Sequence, residues 1–321
     1  MKIWRKTRWG IGILIVLFIW IFAIGLSSHR PGSFFNNGHN AVWLGHEWVD
    51  ENKSLKEIQE LVDRLKAGDI DTVFVHTGPI LEDGTIDPET YKYAINFIDR
   101  VKKIEPNINY QAWLGQLRGK IDLGDENVRK NITKQCLILS DFIGFDGIHF
   151  DIEPVWDEDS EFIQLLKESR EVLGQEKLIS VALAEFIPKS FIWFTEKIHT
   201  FENVNSEVNY ENVAQYADQV VVMVYDTGIN QEWFYRWLVK EQTIRVTNLL
   251  NKEVFIGIPA YEEIKEGFNP EVENIENGIR GIVSGLNNIR SDEEVFAGVA
   301  IYPYWEIEED EWKIYENLWL K

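Results

Sequence analysis

Cysteine occurs once in this chain, at position 136. A disulfide within the chain is therefore impossible, and so is a cysteine metal cluster. Basic residues are scarce beside acidic ones, 32 against 53, for a formal net charge of −21. Nucleic-acid binding runs on basic patches, so that class of partner is excluded. The acids are spread along the chain, as on a solvated surface, and form no acidic tail. No glycine-rich phosphate loop opens a helix, no G-x-S-x-G elbow is present, and neither H-x-H nor H-E-x-x-H occurs. His46, His76 and His149, with Glu47 and Asp151 nearby, offer metal-binding atoms, but their spacing follows no known ligand pattern. No metal and no cofactor is expected.

Apolar and aromatic residues, in contrast, are plentiful. Hydrophobic residues make up 45% of the 321, enough for a large core, and 13 are Trp. Residues 9–26, WGIGILIVLFIWIFAIGL, are uncharged throughout and follow Lys2, Arg5, Lys6 and Arg8. That run sits at the short end of what spans a bilayer, with its basic flank on the cytoplasmic side. Residues 1–26 are read as an uncleaved N-terminal membrane anchor. A signal peptide cleaved before secretion is the alternative, although the run is long for one and lacks an A-x-A site. Residues 27–40, SSHRPGSFFNNGHN, read as a flexible linker.

Residues 41–321 alternate short β-rich runs with longer amphipathic segments. The runs are 41–45, 71–78, 108–114, 145–153, 178–185, 219–226, 253–261 and 296–305. Helical stretches lie between them, such as SLKEIQELVDRLKAG, with a Ser54–Glu57 capping box and Gly68 at its end. Eight strand–helix units of this size predict one α/β domain, a (β/α)8 TIM barrel preceded by a transmembrane helix. An open doubly wound sheet is the competing architecture. Barrel chemistry collects at the C-terminal strand ends. Those ends carry His46, His76, Trp113, Asp151, Glu153, Glu185, Tyr225, Asp226, Tyr261 and the Tyr302–Trp305 region.

FDGIHFDIEP, residues 145–154, concentrates the acids. Period-2 alternation puts His149, Asp151 and Glu153 on one face and Ile148, Phe150 and Ile152 on the other. Two neighbouring carboxyls cannot both ionise freely, so one becomes a proton donor near neutral pH. Glu153, nearest the mouth, is the natural general acid, and Asp151 beneath it stays charged or shares a proton. Tyr225 follows a valine-rich strand and points inward as a hydrogen-bond donor. Trp113, Tyr302, Tyr304 and Trp305 together suit a sugar groove, since aromatic rings stack on the apolar faces of pyranoses.

DGIHFDIE resembles the DGxDxDxE strand of glycoside hydrolase family 18, the chitinase-like barrels. VVVMVYD is similar to that family's sixth strand ending in M-x-Y-D, FIGIPAY to its seventh, and GVAIYPYW to its eighth. The resemblance implies a substrate-assisted retaining glycosidase acting on glycans that contain N-acetylhexosamine. In that scheme Glu153 protonates the glycosidic oxygen and the substrate's acetamido carbonyl attacks the anomeric carbon. Asp151 orients the acetamido N–H, Tyr225 holds its oxygen, and Asp226 binds a sugar hydroxyl. His149, Trp113, Glu185, Tyr261, Tyr302 and Trp305 complete the expected substrate contacts.

Two positions depart from the family pattern. His149 stands where the family has an inner Asp, and Ile152 where it usually has Trp. A protonated His149 is expected to lower the pKa of Asp151. Residues 262–295 leave no room for the extra α+β insertion of many chitinases, which predicts an open groove. The expected substrate is an envelope glycan, peptidoglycan or chitin-like polymer outside the cytoplasm. A sugar-binding relative that has lost catalysis is the alternative function.

Overall fold

β1 (Asn40–Leu44) pairs in parallel with β2 (Ile70–Pro79) on one side and with β8 (Phe296–Tyr302) on the other. Between them run β3 (Asn109–Leu117), β4 (Gly147–Glu153), β5 (Leu178–Ala184), β6 (Gln219–Met223) and β7 (Glu253–Pro259), each paired with its sequence neighbours. The eight strands form a closed barrel, which excludes the open sheet. The structure, a computed structural model, describes residues 29–186, 205–262, 264 and 267–321. The anchor expected over 9–26 lies outside the described residues. Among those described, no helix is long and apolar enough to cross a membrane.

A helix follows every strand: α1 (Leu55–Ala67), α2 (Ala94–Ile104), α3 (Glu126–Leu137), α4 (Ser160–Leu173), α5 (Glu207–Ala214), α6 (Glu232–Leu249), α7 (Ile275–Leu286) and α8 (Glu309–Tyr315). The Ser54–Glu57 capping box forms at the start of α1, and Gly68 closes its end. PETYKYAINFIDRVKKI behaves differently from the single helix its periodicity predicts. Pro88–Tyr91 is a separate 3-10 turn, because the Tyr93 N–H donates to Val49 O at 2.8 Å and not back along its own helix.

Alternation along β4 sets the two sides of the wall. Ile148, Phe150 and Ile152 are fully buried against the helices, each worth about 1.5–3 kcal/mol. The barrel interior holds Trp43, Phe74, Trp113, Val221 and Phe255, together with buried His149, Ser180, Gln111 and Gln219.

The stretch expected to be a linker is tied to the barrel over its described part. Arg30 pairs with Glu293 and exchanges backbone hydrogen bonds with the Asn287 side chain, at 2.6 and 2.9 Å. Its guanidinium lies over the Phe34 and Phe35 rings, and Phe35 is buried. Polar composition suggested flexibility, but two phenylalanines and an arginine fix the segment across the base. Asn40 finishes the seal, accepting from Trp319 Nε1 at 2.8 Å and from Val299 N at 3.1 Å.

Candidate active site

Asp151 and Glu153 stand two residues apart at the C-terminal end of β4, level with Gly115 and Leu117 of β3. Asp151 Oδ2 accepts the Trp113 Nε1–H at 2.8 Å, while its Oδ1 is buried with no partner among the described residues. Glu153, last on the strand, reaches the exposed rim. Burial pushes the Asp151 carboxyl above the usual carboxylate range, and the indole hydrogen bond opposes it. Glu153 is pushed up by the low-dielectric surroundings of its carboxyl, then by the charges of Asp151, Asp226 and Glu185. The result is a carboxylic acid that keeps its proton near neutral pH beside a second carboxyl aimed at the same space.

His149 lies beneath this pair, wholly buried. Its Nε2 is 3.1 Å from Trp43 Nε1, and its Nδ1 is 2.7 Å from Ser180 Oγ. An indole N–H only donates, so Nε2 must accept and the proton sits on Nδ1. The donors then run one way: Nδ1–H to Ser180, Ser180 to Gln111, Gln111 to Gln219 and Gln219 to Glu253, the last three at 2.7 Å each. Burial drives the imidazole pKa down to about 3. The expectation of a protonated His149 acting on Asp151 is therefore corrected, because a second ring proton would face the Trp43 N–H. The expected sugar contact is corrected with it, since both nitrogens are taken and no part of the ring reaches solvent.

Tyr225 follows β6 and stacks on Tyr302 at the end of β8, centroids 5.1 Å apart and planes 8° from parallel. Trp43 meets both rings edge-on. Gly257 makes room, because a Cβ there would lie 3.2 Å from the Tyr225 ring. Burial and the nearby carboxyls raise the Tyr225 pKa well above 10, so the phenol remains a donor. Trp305 sits on a 3-10 turn beyond β8, 46% exposed, edge-on to Tyr302. Tyr302 is thus the barrel-end aromatic and Trp305 the rim aromatic.

Asp226 is exposed, with φ at +59°, a conformation aspartate tolerates better than most residues. Glu273 holds it there from the connection after β7. This fully buried carboxylate accepts from Asp226 N at 3.0 Å, Thr227 N at 3.1 Å, the Thr227 hydroxyl and the Tyr261 hydroxyl. Tyr261, expected as a sugar contact, is 4% exposed and committed to Glu273. Trp113 is likewise 8% exposed with its N–H committed to Asp151. Glu185 is half-buried just beyond β5, its pKa pushed up to about 8 by burial and by Glu273 and Asp226.

Sequence reading missed Glu273, which lies in a connection without strand pattern. It also missed Trp43, although alternation within AVWLG already turns that ring inward. His46 bonds Asp50 at 2.7 Å, and His76 packs edge-on to Trp113. Among the described residues, no group of three His, Cys, Asp or Glu side chains converges as metal ligands would.

The sequence profile of glycosyl hydrolases family 18 matches residues 48–318. The chain belongs to that family. This family 18 member carries its acids where the barrel keeps its mouth. The cortical fragment-lytic enzyme of Bacillus subtilis (strain 168) is 33% identical over 124 residues, which are 38% of this chain and 26% of that protein. The chain thus matches about a quarter of the length of that curated relative. The Bacillus cereus spore cortex-lytic enzyme SleL shares the fold at a TM-score of 0.59 and 13% identity, over 87% of this chain and 74% of that one. A class V chitinase from Nicotiana tobaccum, solved in complex with NAG4, aligns at 0.59 and 12%, over 87% and 98%.

Proposed function

We propose that this family 18 member is a glycosidase that cleaves glycans containing N-acetylhexosamine by a substrate-assisted retaining mechanism. The observation that carries the reading is the unpartnered Asp151 Oδ1, beside a raised-pKa Glu153 and below a phenolic donor. Glu153 gives its proton to the leaving glycosidic oxygen. The substrate's acetamido oxygen attacks the anomeric carbon as that bond breaks, giving an oxazolinium ion. Asp151 accepts the acetamido N–H and offsets the positive charge, and the Tyr225 hydroxyl donates to the acetamido oxygen. The Glu153 carboxylate then takes a proton from the water that opens the ring, which restores the acid and retains the anomer.

Two likenesses support the substrate class: a relative named for lysis of cortical fragments and a chitinase solved with NAG4. Envelope glycan is preferred over chitin because residues 9–26 and their basic flank fit a membrane anchor, with the barrel outside the cytoplasm. The chain enters across the base of the barrel at Arg30.

The test uses the full chain in detergent and its Glu153→Gln variant. Both are incubated with N-acetylglucosamine oligomers and with purified peptidoglycan, with and without chelator, and new reducing ends are followed. Release that Glu153→Gln lowers by about 10²–10⁴-fold and chelator leaves intact supports the reading. An inverted anomer in the first product would overturn it.

A further inference from the structure

Trp113 stands on β3 opposite His149, while Gly115 stands opposite Asp151. The indole therefore reaches two residues along the strand to meet the carboxylate. It passes through the space above Gly115, where a Cβ would lie 3.2 Å from Trp113 Nε1, tighter than ordinary contact. With glycine there, Nε1–H donates to Asp151 Oδ2 at 2.8 Å. The ring is braced from behind by His76, edge-on with centroids 4.6 Å apart, and by Tyr302 at 6.4 Å.

Asp151 finds no other donor among the described side chains near it. His149, directly below on the same strand, spends both nitrogens on Trp43 and Ser180. The two carboxylate oxygens are consequently unequal: Oδ2 is held, and Oδ1 is buried with nothing bonded to it.

We propose that Trp113 is the positioning residue for Asp151: its indole N–H, admitted by Gly115, fixes Oδ2 and so presents Oδ1 to the acetamido N–H of the substrate. The inference rests on the substrate-assisted reading above. An indole has one N–H and no acceptor, so it cannot share a proton with Asp151 and favours its ionised form. The titratable groups facing Asp151 are Glu153 on its own strand, Tyr225 beyond β6 and Tyr302 on β8. His149 beneath it and His76 behind the indole are held neutral by burial. Loss of the indole donor thus leaves burial unopposed at Asp151, and burial favours protonation.

Two variants of the full chain test this, with the parent and Glu153→Gln alongside. Trp113→Phe keeps an apolar ring and removes the N–H. Gly115→Ala keeps the indole and displaces it, and serves if the first variant fails to fold. Each is expected to lower kcat on the N-acetylglucosamine oligomer by about 10–100-fold with KM little changed. The acid limb of the pH–kcat profile should move to higher pH, which a merely structural tryptophan would not cause. Unchanged kcat and an unmoved limb beside an active parent would overturn the inference. An inactive parent would sink the functional reading instead, and the indole spectrum then decides. The Nε1–H resonance of ¹⁵N-labelled Trp113, assigned by its loss in Trp113→Phe, should move with pH in the parent and stop moving in Asp151→Asn. A resonance indifferent to both would overturn the proposal.

Discussion

Phe74 lies flat on His149, ring centroids 3.8 Å apart and planes inclined by 17°. With Trp43 at one nitrogen and Ser180 at the other, this stack leaves the imidazole no route to water or to a second proton. Nitrogen NMR on labelled histidine should find His149 as the Nδ1–H tautomer, unchanged from pH 8 down to about pH 4.5, since its pKa is driven to about 3 from an ordinary 6.5. The unfolded chain binds that proton at higher pH than the folded one. Stability should therefore fall as pH drops below 6.5, and His149→Gln, which keeps an acceptor and a donor, should flatten that fall.

Negative charge around Glu153 predicts where activity ends on the alkaline side. The low-dielectric surroundings of its carboxyl, then Asp151, Asp226 and Glu185, all raise its pKa. Asp226→Asn and Glu185→Gln each remove one repelling charge, so Glu153 should lose its proton at lower pH. The alkaline limb of kcat/KM should shift toward acid in both variants. A limb that stays put would show that another group controls it.

Glu185 itself should tax stability. Its pKa is raised from an ordinary 4.5 to about 8, so between those values the folded chain holds a proton that the unfolded chain has released. Stability is lost as pH rises through that window. Thermal unfolding of Glu185→Gln should match the parent near pH 4.5 and exceed it at pH 8, with activity lowered if the carboxyl touches substrate.

Glu273 gathers two backbone N–H groups and two hydroxyls around one buried carboxylate. An amide there turns an N–H toward groups that are themselves donors. Glu273→Gln should cost about 1–3 kcal/mol in urea unfolding and raise KM as Asp226 loosens. Tyr261→Phe removes only one of the four and should cost about 1 kcal/mol. Equal effects would mean that the phenol, not the carboxylate, organises the turn.

The segment before β1 belongs to the fold. A chain begun at Asn36 loses the Arg30–Glu293 pair, the exchange with Asn287 and the buried Phe35 ring. Compared with a chain begun at residue 29, it should be less stable by about 2–4 kcal/mol, read as a lower midpoint in thermal or urea unfolding.

The barrel and the placing of its acids were legible in consecutive residues. Period-2 runs separated by amphipathic helices are short-range patterns, and alternation along Ile148–Glu153 already turns Asp151 and Glu153 inward at a strand end. The Ser54–Glu57 box is equally local. The state of the site was not legible in that way. The Trp43–His149 bond joins residues 106 apart, and Glu273 reaches Asp226 from 47 residues further along the chain. Such pairs exist only once the barrel has closed. The protonation of His149, Glu153 and Glu185 depends on how much water closure removes and which charges it brings near. Local pattern settles which way a side chain faces, whereas its partners and its proton are properties of the assembled interior.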